Sequence, residues 1–269
     1  MVVAVFCLLP LLWVGGVFGS GDYVTQMASS TNSSGSELQY KTASKMYNGF
    51  ATNCFYAWVP NPVSHFHVYY PESSNGSCAG YLRPSHVAKE KNCEYATNGG
   101  PFVMFQPSNA PTCLGNVVSD GDVVQVQSTT NVNFGLTKNG EFIMGTLDDS
   151  DVQDLDFDQL ITGFGWLIRE GVNQVTTAGG EIAPRTAIGT NAAGNLLLFE
   201  ADGVEDKDKG LTLQQLAEWM QEIGAYSAVN LDGGGSSVTV VNGTIVDHPT
   251  CSDTIVKCER KVTTMTCIS

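Results

Sequence analysis

The stretch Asn230-Leu231-Asp232-Gly233-Gly234-Gly235-Ser236-Ser237 constrains this chain more than any other. Short apolar runs flank it, residues 225–229 before and 238–241 after, each of a length that suits a buried strand. Three consecutive glycines are entropically unfavourable to order, so a folded chain keeps them where the backbone needs φ > 0 or where something approaches it closely. Bare N–H groups in such a turn form a concave anion site. Asp232 beside them can act as acid, base or hydrogen-bond acceptor. The same residues also read as a glycine hairpin whose aspartate bonds its own backbone.

The 269 residues are 42% hydrophobic and 15% charged, a balance that suits a compact globular core rather than a disordered chain. A net charge of -14, with only 13 Lys and Arg, argues against sequence-independent nucleic-acid binding, which rests on cations that neutralise phosphates. Residues 1–20 are apolar with a leucine-rich centre and end in small residues, the pattern of a secretory signal peptide. No later segment is long and apolar enough to span a bilayer, so we expect no transmembrane anchor beyond the leader and a protein released in soluble form.

Eight cysteines include Cys7 in the leader; the other seven read as disulfides in a secreted chain, with one left over. Sequons at Asn32, Asn75 and Asn242 agree with that route as glycosylation sites. No Cys-x-x-Cys and no Cys/His pair at zinc spacing occurs, which predicts no metal site and no cofactor.

Residues 21–50 are rich in Ser, Thr and Asn and poor in large apolar side chains. They read as a flexible leader or prosegment, with the catalytic domain over 51–269. Within the domain, residues 63–70 alternate as a strand, and 85–91 form a short helix capped by Ser85. Asp120-Gly121 and Asn139-Gly140 mark hairpin turns. The acidic run 148–158 reads as a solvated loop, with calcium binding the lesser alternative, since it lacks the glycine and terminal glutamate of an EF-hand loop. Residues 186–189 and 196–201 make a hairpin. Leu213, Leu216, Ala217, Met220 and Ile223 share one face of a helix that Thr212 caps. Many short strands with few helices predict an α+β (mixed α/β) fold, a strand-rich single catalytic domain stapled by disulfides. The absence of G-x-G-x-x-G and G-x-x-x-x-G-K-[ST] excludes a nucleotide fold of those types.

Polar groups stand at predicted strand ends in four places: Asn98-Gly99-Gly100, Pro184-Arg185-Thr186, Glu200-Ala201-Asp202-Gly203 and residues 230–236. Arg185 offers a planar guanidinium that binds phosphate bidentately; otherwise it is a surface salt bridge. Asp202 and Asp232 form a candidate carboxylate pair of the kind that hydrolyses sugar bonds, or else each caps a turn.

These pieces, taken in order, resemble the phosphodiester glycosidase family. VSHF at 63–66, NGG at 98–100, CLGNVVSD at 113–120, WLIR at 166–169, RTAIG at 185–189, ADG at 201–203 and NLDGGGS at 230–236 carry the resemblance. Pro101 follows NGG where the family has an aromatic residue. The resemblance implies a hydrolase that removes N-acetylglucosamine from GlcNAc-α-1-phospho-6-mannose diesters on N-glycans, exposing mannose 6-phosphate. Its partners would be phosphorylated high-mannose glycoproteins, met in the secretory pathway, either in the Golgi lumen or outside the cell. Asp232 and Asp202 would be the catalytic carboxylates. Arg185 would hold the phosphate, Asn98 would position the substrate, and Thr186 and Gly99 would belong to the substrate-binding set. The N–H groups of Gly233, Gly234 and Gly235 with the Ser236 hydroxyl would stabilise developing charge. The resemblance also pairs Cys78 with Cys113, Cys93 with Cys267 and Cys251 with Cys258, leaving Cys54 unassigned. A non-catalytic module that binds phosphorylated glycans is the rival reading, and a secreted structural domain is a third.

Overall fold

The computed structural model describes residues 21–71, 77–104, 111–177, 179–204, 207–251 and 255–269. The signal peptide read at 1–20 and the sequon at Asn75 lie outside these residues. Strands dominate, and the described residues contain three α-helices: α1 (Pro84–Glu90), α2 (Asp149–Asp154) and α3 (Leu213–Glu222).

Three antiparallel sheets carry the domain. The seven-stranded sheet runs in the order Val172–Asn173, Gly165–Arg169, Ser227–Asn230, Arg185–Thr190, Leu196–Ala201, Phe50–Val59, Gln39–Tyr47. The five-stranded sheet runs Thr244–Ile245, Thr239–Val241, Tyr95–Asn98, Met265–Ile268, Phe66–Tyr69. A six-stranded sheet of Tyr23–Met27, Glu141–Gly145, Asn133–Thr137, Phe157–Thr162, Val117–Ser119 and Asp122–Gln125 completes the core. Side chains from all three sheets meet in one cluster, with Val59, Phe66, Tyr95, Phe134, Phe142, Ile188, Leu198, Val229 and Ile268 buried together.

Burial on both faces explains the apolar runs at 185–190 and 196–201. Successive side chains point to opposite faces of a strand. Ile188, Leu196 and Leu198 therefore enter the central cluster, while Ala187, Leu197 and Phe199 pack under α3. The helix forms where its signals predict. The Thr212 hydroxyl accepts from the Gln215 N–H at 3.2 Å, and Gln215 Oε1 accepts from the Thr212 N–H at 2.9 Å, a reciprocal capping box. Trp219 and Met220 on its inner face are fully buried, each stabilising the domain by about 2–3 kcal/mol on area grounds.

Three sequence expectations change. Residues 21–50 are not a flexible leader in this structure: Tyr23–Met27 pairs with Glu141–Gly145, and Gln39–Tyr47 pairs with Phe50–Val59 over nine residues. The second pairing turns at Asn48-Gly49, both at positive φ, which is two-residue hairpin chemistry. Its strand is mostly exposed, so backbone bonds rather than large apolar side chains hold it, and composition conceals it. The cap of α1 also differs. Pro84 occupies the start of the helix, as suits a residue without an N–H, while Ser85 bonds the Glu259 carboxylate through its N–H and hydroxyl. Finally, the acidic run 148–158 is not only loop. Asp148 and Asp151 form a capping box at the start of α2, where negative charge suits the helix dipole.

The disulfides are Cys78–Cys113, Cys93–Cys267 and Cys251–Cys258, and Cys54 is a buried free thiol. They agree with the pairing the resemblance implied.

Candidate active site

The glycine stretch is not a hairpin loop. The strand before it, Ser227–Asn230, belongs to the seven-stranded sheet, and the strand after it, Thr239–Val241, to the five-stranded one. The turn carries the chain between the two sheets, so it sits where their strand ends meet. Three backbone bonds strap it down: Leu231 N–H to the Thr186 carbonyl at 2.9 Å, Asp232 N–H to the Gly99 carbonyl at 3.1 Å, and Gly234 N–H to the Pro184 carbonyl at 2.9 Å. Gly234 has φ +57, and a Cβ on Gly233 would stand 2.8 Å from the Pro184 carbonyl oxygen. The close approach that three glycines signalled is thus made by the chain's own residue before Arg185. Because Gly234 N–H is bonded to Pro184, it is not available to developing charge, which corrects the expectation for that residue.

Asn98 and Thr186 lie behind the turn. Both are fully buried. Asn98 donates from Nδ2 to the Asp232 carbonyl at 2.7 Å and accepts at Oδ1 from the Thr186 hydroxyl at 2.8 Å and the Val238 N–H at 3.2 Å. Its amide is therefore committed to the protein, and it positions the Asp232 turn rather than meeting substrate directly. Gly99 is needed because a Cβ there would come within 2.8 Å of the Thr264 backbone.

Arg185 opens its strand opposite Ala201, the residue before Asp202. Its Nε donates to the Leu211 carbonyl at 3.0 Å and its Nη2 to the Glu181 carbonyl at 2.6 Å. The guanidinium is anchored on that edge and lines a cleft of about 400 Å³ with Trp166, Gln174, Thr176 and Glu181. Asp202 lines another cavity, of about 470 Å³, with Phe50, Lys207, Lys209 and His248. It accepts the His248 N–H at 2.8 Å and the Asn53 Nδ2 at 3.4 Å. Asp232 stays half-exposed at the turn. The fold thus gathers Asn98, Gly99, Thr186, Arg185 and the 232–236 turn around one set of strand ends. It places Asp202 next to them in sequence pairing but facing a different hollow.

Arg260, His248 and Asp247 at this end escaped the sequence reading, and Glu200 was marked only as part of the strand end 200–203. Arg260 donates from Nη1 to the Ser236 hydroxyl at 3.3 Å and from Nε to the Cys251 carbonyl at 3.1 Å. It follows Cys258 by two residues, so the small disulfide loop carries it, and that loop was the available signal. His248 meets Asp202 as described. Glu200 and Asp247 are buried beside Asp202, and one oxygen from each of the three lies within 4.8 Å of the others. Burial, followed by the charges of Asp247 and Asp202, holds the Glu200 carboxyl well above the usual range. Burial likewise pushes Asp247 up to about 8, with the Asp202 charge adding to the shift. The absence of metal-ligand spacing in the sequence therefore did not foresee that carboxylates 45 and 47 residues apart converge here.

The fold and site thus define a disulfide-stapled, antiparallel domain with an anchored arginine and carboxylates at neighbouring strand ends. The chain belongs to the phosphodiester glycosidase family, which matches residues 91–269. It is 36% identical over 234 residues to the mouse N-acetylglucosamine-1-phosphodiester alpha-N-acetylglucosaminidase and 36% identical over 231 residues to the human one, covering 78% and 77% of this chain. It spans 44% of the length of either relative. Among solved structures, the zebrafish enzyme's catalytic domain, auto-inhibited by its pro-peptide, superimposes with a TM-score of 0.78 at 29% identity, covering 91% of this chain and 87% of that one. A hypothetical protein from Synechocystis, at 14% identity and a TM-score of 0.59, shares the fold.

Proposed function

We propose that this chain is a hydrolase that removes N-acetylglucosamine from GlcNAc-α-1-phospho-6-mannose diesters on high-mannose glycoproteins, leaving mannose 6-phosphate. Family membership over residues 91–269 is the observation that carries the reading. In the reaction, water forms a bond to the sugar C1 as the C1–O bond to phosphorus breaks. The electron pair leaves on the phosphate oxygen, and the two protons of water end on the sugar hydroxyl and the phosphomonoester. Arg185 holds the phosphate through charge-assisted hydrogen bonds. Asp232, fixed at backbone level by Gly99 and Asn98, acts on the water or on C1 directly. A phosphate leaves without the full protonation a sugar alcohol needs, so one carboxylate suffices for the chemistry. Ser236, with Arg260 against its hydroxyl, adds a second positive edge to the turn.

Three disulfides and the relatives fit a protein of the secretory pathway, and we place its work in the Golgi lumen or outside the cell. No helix among the described residues is long and apolar enough to cross a membrane. The deciding experiment incubates the purified chain with a GlcNAc-phosphomannose diester and measures free N-acetylglucosamine, with glycan binding followed in parallel. Release supports the hydrolase; saturable binding without release supports a lectin-like module instead.

A further inference from the structure

We propose that Glu200, Asp202 and Asp247 form a divalent-cation site of the calcium class in the wall of the cavity that Asp202 lines. Glu200 and Asp202 stand two apart at one strand end, so both side chains face the same way. Asp247 comes from the segment after Thr244–Ile245 and completes a cluster in which one oxygen from each residue lies within 4.8 Å of the others. All three are buried. Among the described residues, none of them forms an ion pair with a lysine or arginine.

A second observation points to a ligand. Both carboxylate oxygens of Asp247 are buried without a hydrogen-bond partner, although Asp247 is only 3% exposed. Tyr95, on another strand and fully buried, lies within the field of Glu200 and Asp247. A buried carboxylate without a partner ionises only at a large free-energy cost, which a coordinated cation offsets. A hard cation that prefers six to eight oxygens fits an all-oxygen set. The adjoining cavity of about 470 Å³ gives an entry path and room for water ligands. The ion would tie the Asp202 strand end to the chain leading into the Cys251–Cys258 loop, which holds Arg260 against Ser236. With Asp202 serving as a ligand, Asp232 is left as the carboxylate for the chemistry.

The test strips the full chain with EDTA and titrates it with calcium, and separately with magnesium and manganese, by calorimetry and thermal melting. We expect one calcium ion per chain and a melting temperature that rises with calcium. Asp247→Asn and Glu200→Gln each replace a charged ligand with a neutral amide oxygen and remove a buried negative charge, so they fold in EDTA and bind calcium about tenfold or more weakly. Asp149→Asn in α2 leaves binding unchanged. Three results overturn the site: no heat and no melting shift with any of the three ions, wild-type calcium affinity in both ligand variants, or loss of binding in Asp149→Asn.

Discussion

Asn98 and Asp232 are 134 residues apart and joined by a 2.7 Å hydrogen bond from the Asn98 Nδ2 to the Asp232 carbonyl. The same amide accepts from Thr186 and Val238. Asn98→Ala would strand three buried polar partners, at about 1–3 kcal/mol for each. We expect several kcal/mol lost in denaturant unfolding, together with lower turnover. Wild-type stability in this variant would show that the bonds contribute little.

Asp232→Asn keeps size and most hydrogen bonding while removing the charge. A turn-capping residue tolerates this change, since both residues suit turns; a catalytic carboxylate does not. We expect turnover to fall by about 10²–10⁴-fold, as for other general acid–base groups, with the melting temperature close to wild type. Initial-rate kinetics on the diester substrate decide between the two roles. Retention of more than about a tenth of the rate would return the chemistry to Asp202.

Arg185→Lys keeps a positive charge and loses the fork. The two bonds to Leu211 and Glu181 carbonyls depend on separate guanidinium nitrogens, which one ammonium cannot reproduce. The expected signature is a raised KM for the diester with a smaller change in kcat, read from full saturation curves.

Cys93–Cys267 closes a span of 174 residues between the start of the family-matched region and the last strand. The chain-entropy model gives about 5 kcal/mol for a loop of that size. Replacing both cysteines with serine should therefore lower the melting temperature sharply, and much more than replacing Cys251 and Cys258, which span only 7 residues. Equal effects of the two double replacements would show that loop length is not what matters.

Burial pushes the Cys54 thiol up to about 12. Because the thiolate is the reactive form, Cys54 should resist maleimide at pH 8 in the native protein and react once the chain is unfolded without reductant. Peptide mapping of the labelled protein reads this directly. Rapid native labelling would mean that the strand carrying Cys54 opens readily.

Some of this molecule was written locally. The α3 helix was legible because its apolar spacing and the Thr212 cap lie within one short window. The turns at Asp120-Gly121 and Asn139-Gly140 were legible because few residues tolerate those dihedrals, and both close hairpins. The ordered motifs marked the strand ends around Asn98, Arg185 and Asp232, and the fold does bring those together. Other features had no local signature. The strand Gln39–Tyr47 is held by its ladder to Phe50–Val59, and its composition alone resembles disorder. The glycine turn looked like a hairpin because its flanks are strand-like, and only sheet assembly sends those flanks to different sheets. Glu200, Asp247, His248 and Arg260 became neighbours of the site through pairings between distant residues. Sequence determined which short segments can form helix, strand or turn, because dihedral preference and side-chain periodicity act between near neighbours. Tertiary structure alone decided which segments lie side by side and which charges share a low-dielectric interior, because backbone ladders and burial exist only once distant parts of the chain have met.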